Sequence, residues 1–228
     1  MEIKKIFKFG FFQVIGTLIY TLGVAGLVVA GQGAGPIDAA AYFASVLFGL
    51  TQGSWTFILN FVLALVLLVA LRHVKVLLNV LMLIVSGYLI DLWISIFQKV
   101  FDFNIKLTTI TLNNGFMVGL LVAIFSFIVI AVGVSILIHF RVILSPLDEF
   151  TVFVARFTKK YFSAKILIDA SFLAIALIFG FILGREEVVK QINFFSLVIV
   201  FGLGPFINLL LNLLKKGVKV EDGIEQIY

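Results

Sequence analysis

Six stretches of this chain run for about twenty residues almost without a charge. They cover roughly 6–30, 55–71, 75–98, 113–139, 165–184 and 191–214. At 1.5 Å per residue, about 20 apolar residues carry a helix across bilayer hydrocarbon. Lipid offers no partner to a bare backbone amide, so a spanning segment must satisfy its own hydrogen bonds, and a helix does that. The second stretch is the shortest, but it opens on Trp55, a residue suited to the membrane interface. A water-soluble alternative fails on composition. The 228 residues are 62% hydrophobic and 13% charged, against about half and about a quarter in a soluble domain. The expected fold is therefore all-α: one polytopic transmembrane domain over 1–228 with six membrane helices. Its opening, "MEIKKIFKFG", has the charge of a signal peptide. The apolar run behind it outlasts the roughly 7–15 residues of a cleavable core, so a retained first span is expected.

The basic residues orient these spans. With the N-terminus inside, the inner side holds Lys4, Lys5, Lys8, Arg72, Lys75, Arg141, Arg156, Lys159, Lys160, Lys165, Lys215, Lys216 and Lys219. The outer side holds Lys99, Lys106, Arg185 and Lys190. Thirteen against four is a positive-inside bias. Both termini, including a tail over 215–228, are expected in the cytoplasm. The net charge of +5 is scattered between apolar spans, which argues against nucleic acid as a partner. The partners expected are the lipid bilayer, a small solute or ion, and a second copy or another membrane protein.

The chain also repeats itself. Shifted by 110 residues, Gly23, Val24, Leu27, Pro36 and Asp38 fall on Gly133, Val134, Leu137, Pro146 and Asp148. Apolar identities arise easily by chance, but a Pro-x-Asp pair in register with glycine does not. Asn60 falls near Asp169, and Gly87 and Asp91 fall on Gly204 and Asn208 with slightly different shifts. The halves are about 6–98 and 113–214, with three spans each. Three is odd, so the second half enters the membrane from the opposite side, giving an inverted repeat. That plan is common among secondary transporters, whose substrates bind where the repeats meet.

Each half contains one apolar segment too short to cross, 37–50 and 147–163, expected to be either re-entrant or interfacial. Each starts at a proline. Proline suits the first position of a helix, where its missing N–H would have had no partner. Ser145 precedes Pro146 as an N-cap and Asp148 completes a capping box. Gly35, Pro36 and Asp38 repeat the arrangement with a glycine cap. The plain reading is two helix starts with acids set against the helix dipole. The sharper reading places these acids in a polar pathway between the repeats. Asp38 and Asp91 would serve its outer half, and Asp148 and Asn208 its inner half. Asp91 carries an ionisable group inside a span, which is costly and marks either a solvated end or a functional site. Asp169 follows Lys165 at i,i+4, a spacing that favours a simple ion pair. Asn60, Asn79 and Asn208 suit hydrogen bonds between helices. Gly16, Gly23, Gly26 and Gly119 suit close helix crossings.

Enzymatic chemistry finds no foothold. The chain lacks cysteine, and His73 and His139 have no companions at metal-ligand spacing. It contains no phosphate loop, nucleophile elbow or His-Glu-x-x-His. No metal and no cofactor are expected.

The segments "LGVAGLVVAGQGAGPIDAAAYFASVLFGLTQGSW", "GVSILIHFRVILSPLDEF" and "FGLGPFINLL" together resemble the YczE/YyaS/YitT-type bacterial membrane proteins. Gly35, Pro36, Asp38 and Gly53 match that family's first turn, and Gly204 and Pro205 its closing stretch. The family has a glycine-threonine-rich run before its last span, where this chain has "QINFFSLV". The resemblance implies a bacterial plasma-membrane protein of permease-like architecture. The leading expectation is a small permease or channel. The alternative is a non-transporting membrane subunit that assists a partner protein.

Overall fold

The computed structural model describes residues 3–30, 32–33, 35–50, 52–72, 75–101, 114–140, 143–184, 188 and 192–217. His73, Lys106, Arg141, Arg185, Lys190 and Lys219 lie outside them, as does the tail beyond Gly217. The described residues form eight helices: α1 (Ile3–Ala30), α2 (Pro36–Phe48), α3 (Gln52–Leu71), α4 (Lys75–Phe101), α5 (Asn114–His139), α6 (Pro146–Thr158), α7 (Tyr161–Leu183) and α8 (Phe194–Gly217). All except α2 and α6 are long and apolar enough to cross a membrane. The protein is thus an all-helical, multi-pass membrane protein, and the six expected spans are present.

The fifth span begins four residues earlier than its charges suggest. Lys165 looks like the edge of the bilayer in sequence, but it lies buried inside α7, bonded to Asp169. It is therefore not a loop lysine, which leaves twelve basic residues on the expected inner side against four.

The helices pack in matched pairs. α1 lies against α5. α2 packs on α7 and α6 on α3. α4 lies beside α1, and α8 beside α5. Exchanging the first four helices with the last four leaves the α1–α5 pairing as it is and turns each of the others into its counterpart. Each short helix is thus seated on a long helix of the other half. Phe43 of α2 reaches Gly180, and Ala39 and Ala40 meet Ala176. Phe150 and Phe153 of α6 pack around Ala64 and Leu67 of α3.

The α1–α5 crossing shows how closely the halves correspond. A Cβ on Gly23 would lie 2.7 Å from the Ile130 amide nitrogen, and one on Gly133 would lie 2.5 Å from the Tyr20 amide nitrogen. Ile130 and Tyr20 are themselves 110 residues apart, so the contact is reciprocal, as in the self-complementary interface of a two-fold dimer. Gly16 meets Ile136 and Leu137, while Gly26 meets Ser126. Residue numbers rise along α1 as they fall along α5, so the two helices run antiparallel. Glycine lets the backbones approach this closely, which matters in lipid, where packing contributes much of the drive for helix association.

Candidate functional site

The two Pro-x-Asp turns fold alike. The cap residue before each proline is extended, Gly35 at φ −61° and ψ 155°, Ser145 at φ −65° and ψ 154°. Both helices run for 13 residues and end on a left-handed residue, Gly49 at φ 79° and Lys159 at φ 60°. Neither segment stands apart from the bundle, since each buries one face against the opposite half.

Asp148 is 5% exposed. It accepts the Ser145 hydroxyl at 2.8 Å, while its own amide donates to Ser145 Oγ at 3.2 Å. The serine thus caps the helix as expected from the sequence, and the acid answers through the serine hydroxyl, where a full capping box would use the serine amide. The loop before it is held from across the bundle. Gln13 of α1 donates to the Ile143 carbonyl at 3.1 Å and accepts the Ile143 amide at 2.7 Å. Asp38 occupies the matching place in α2 and is half-buried. With glycine as its cap, it lacks the serine hydroxyl that Asp148 receives.

Both acids act electrostatically on the same lysine. Lys165 lies within electrostatic range of Asp169, Asp148 and Asp38, and the Tyr20 hydroxyl within range of Asp148 and Asp38. Tyr161, one turn before Lys165, is in range of Asp148, Asp169 and Tyr20. Lys165 Nζ donates to Asp169 Oδ1 at 3.0 Å, and both residues are at most 5% exposed. α8 makes room for this pair at Gly204. A Cβ there would come within 3.0 Å of the Lys165 Cβ and 3.1 Å of the Phe162 carbonyl. The result is a polar cluster drawn from α1, α2, α6 and α7, with Asp148, Tyr161, Lys165 and Asp169 buried and Tyr20 and Asp38 half-buried.

Two groups in the cluster have no hydrogen-bond partner in the structure: the second oxygen of Asp169 and the Tyr161 hydroxyl. A buried polar atom without a partner costs about 1–3 kcal/mol, more when charged. Burial pushes the Asp38 carboxyl up to about 6, although Lys165 nearby holds it lower than burial alone would.

Of the sequence-predicted site residues, Asp38 and Asp148 both act electrostatically on Lys165. Asp91 does not join them. It is exposed on α4, on a face with Tyr88 and Leu92. Asn208 is half-buried on α8, one turn beyond Gly204. Asn60 is buried on α3, where its amide donates to the Thr56 carbonyl of its own helix at 3.0 Å. That bond is local, not the interhelical one expected. The expected ion pair between Lys165 and Asp169 is present. Tyr20, Tyr161 and Gln13 were missed, because a lone polar side chain in an apolar run carries no mark of the direction it faces. The "QIN" that stands where the resembled family has glycine and threonine caps α8: Asn193 Oδ1 accepts the Phe195 amide at 2.9 Å.

No solved structure matches the chain significantly. A 166-residue alignment, 28% identical, relates it to "Uncharacterized protein YyaS" of Bacillus subtilis (strain 168) and covers 72% of this chain and 78% of that one. The model of a protein family described as "Family of unknown function (DUF6198)" matches residues 6–215. That match takes in all six spans, both Pro-x-Asp turns and every member of the polar cluster, and on it the chain belongs to the DUF6198 family.

Proposed function

We propose that this protein moves a small solute or ion across a bacterial plasma membrane, with both termini cytoplasmic and the Lys165 cluster as its binding site. One observation carries the reading: ionisable side chains from both halves lie within electrostatic range of the buried Lys165, and two polar atoms among them are unpartnered. Such groups are expensive in a membrane and are characteristic of solute and proton pathways. The reciprocal, antiparallel α1–α5 contact supports an inverted repeat with its axis in the membrane plane. In transporters of that plan, one half rocks against the other around a central site. Here Asp38 and Asp148 approach Lys165 on helices seated on opposite halves, so rocking would carry one acid relative to the other. The site would then alternate in its access while its lysine stayed with α7.

Reconstitution tests this. Purified protein in liposomes should take up a solute from a panel of sugars, amino acids, nucleosides and small ions, and Lys165→Met should abolish the uptake. If nothing in such a panel moves, the transport reading fails. Inversion has its own test, because the chain has no cysteine. Single cysteines at Leu50 and Lys160, exposed just past the ends of α2 and α6, should react with an impermeant reagent from opposite sides, and labelling from the same side would refute it.

A second reading, a membrane subunit that assists a partner protein, draws on α4. Its span is the least covered of the six and exposes Asp91. Co-purification of a stoichiometric partner lost in Asp91→Leu would favour it.

A further inference from the structure

We propose that the cluster of Asp38, Asp148, Lys165 and Asp169 is a binding site for a small monovalent cation. This deepens the transport reading by naming the class of what is bound, and binding itself does not require that transport occurs. The first ground is charge. Three carboxylates face one ammonium, and that ammonium is already committed to Asp169 Oδ1 at 3.0 Å. An anion would find no free positive group here. A net negative charge held away from water needs compensation, either by a proton or by a cation. Below about pH 6, where Asp38 carries its proton, one negative charge remains in excess, which a single positive charge neutralises.

The second ground is the unmet valence. Asp169 is 2% exposed and Tyr161 4% exposed. Asp169 Oδ2 and the Tyr161 hydroxyl nonetheless have no hydrogen-bond partner in the structure. Both belong to the same cluster. Neither is explained by packing, since a phenylalanine at 161 would fill the space without stranding a hydroxyl. The Lys165–Asp169 pair needs only one of the two carboxylate oxygens. A cation bound at Asp169 Oδ2 or at the Tyr161 hydroxyl would give that oxygen a partner.

The third ground is the kind of donor. The cluster offers carboxylate and phenol oxygens, with no sulfur and no imidazole among its members. Oxygen donors suit hard cations such as alkali ions, and also small ammonium ions that donate hydrogen bonds. The two sources share the same recognition chemistry, and the experiment separates them.

Thermal unfolding of the full-length protein in detergent would be followed in sodium, potassium and methylammonium chloride. Ionic strength would be held constant with N-methylglucamine chloride. The expected result is a saturable rise in Tm with one of these cations, about 5–10 °C at one hundred times its Kd. Asp169→Asn and Tyr161→Phe should each weaken that response at least tenfold. The tyrosine variant keeps the ring and guards against simple misfolding of the aspartate variant. A rise that follows sodium or potassium marks an alkali-ion site, and one that follows methylammonium marks an ammonium site. No saturable rise with any cation overturns the proposal. So does a rise of equal size in both variants, or one that tracks the anion. Flux in liposomes keeps the two readings separate. Saturable binding without flux sustains the site and refutes transport. Flux of another solute without cation binding does the reverse.

Discussion

Adding one methyl group at the centre of the α1–α5 crossing tests the two-fold packing directly. In Gly133→Ala the new Cβ would start 2.5 Å from the Tyr20 amide nitrogen and 2.7 Å from its Cα. In Gly23→Ala it would start 2.7 Å from the Ile130 amide nitrogen. Both obstacles are backbone and cannot rotate away. Reaching an ordinary contact of about 3.4 Å requires the helices to separate locally by roughly 0.7–0.9 Å. Overpacking of this kind costs about 1–3 kcal/mol. Replacing glycine by alanine inside a helix returns up to about 1 kcal/mol through propensity. The two variants should therefore lose similar amounts, net about 0.5–2 kcal/mol each. Gly87→Ala provides the reference, since nothing lies within 4 Å of a Cβ there. It should be neutral or slightly stabilising. Reversible unfolding in mixed micelles, titrated with a denaturing detergent, would measure all three. Stability in the two crossing variants equal to that of Gly87→Ala would refute the close reciprocal contact. A large loss in one and none in the other would refute its symmetry.

Three further outcomes follow from the same geometry. Lys165→Met should destabilise by about 3–5 kcal/mol, because it leaves Asp169 buried without its cation. Adding Asp169→Leu should recover most of that loss, as measured by the same unfolding titration. Asp38 holds its proton up to about pH 6 when folded, against 3.8 ordinarily. The unfolded chain thus releases a proton that the folded chain retains, and stability falls as pH rises between these values, by on the order of 3 kcal/mol. Asp38→Asn should flatten that slope in a pH series of unfolding curves. Gly33 has φ 122°, and a Cβ there would lie 2.5 Å from Asn193 Oδ1, the oxygen that caps α8. Gly33→Ala should cost at least about 1–3 kcal/mol of backbone strain and lower Tm measurably.

What could be read from the sequence followed from what repeats and what is apolar. The helix starts at Pro36 and Pro146 were legible because proline and the Ser145–Asp148 spacing act locally, through the next turn of backbone. The close crossing at Gly23 was legible as small-residue spacing. Its partner Gly133 appeared only as a repeat match, since which helices meet is a tertiary fact. The start of α7 was misplaced because hydropathy treats a lysine as an edge, whereas a paired lysine can be carried inside. The polar cluster was half legible. Asp38 and Asp148 stood out by register, but their convergence on Lys165 depends on α2 being seated on α7, which no local pattern records. Asp91 was legible as an acid in a span, but its exposed position on α4 was not, since the sequence does not say which way a helical residue faces.

The seating of α2 on α7, and of α6 on α3, also bears on how the chain is made. When the ribosome has delivered the first half, α2 has no α7 on which to lay Ala39, Ala40 and Phe43. That surface must wait through the synthesis of more than a hundred further residues. Once α7 arrives, α2 gains its seat, and α8 then closes against α5 and α7. Neither half can mature alone, so severing the chain between α4 and α5 should leave two fragments that are stable only when produced side by side.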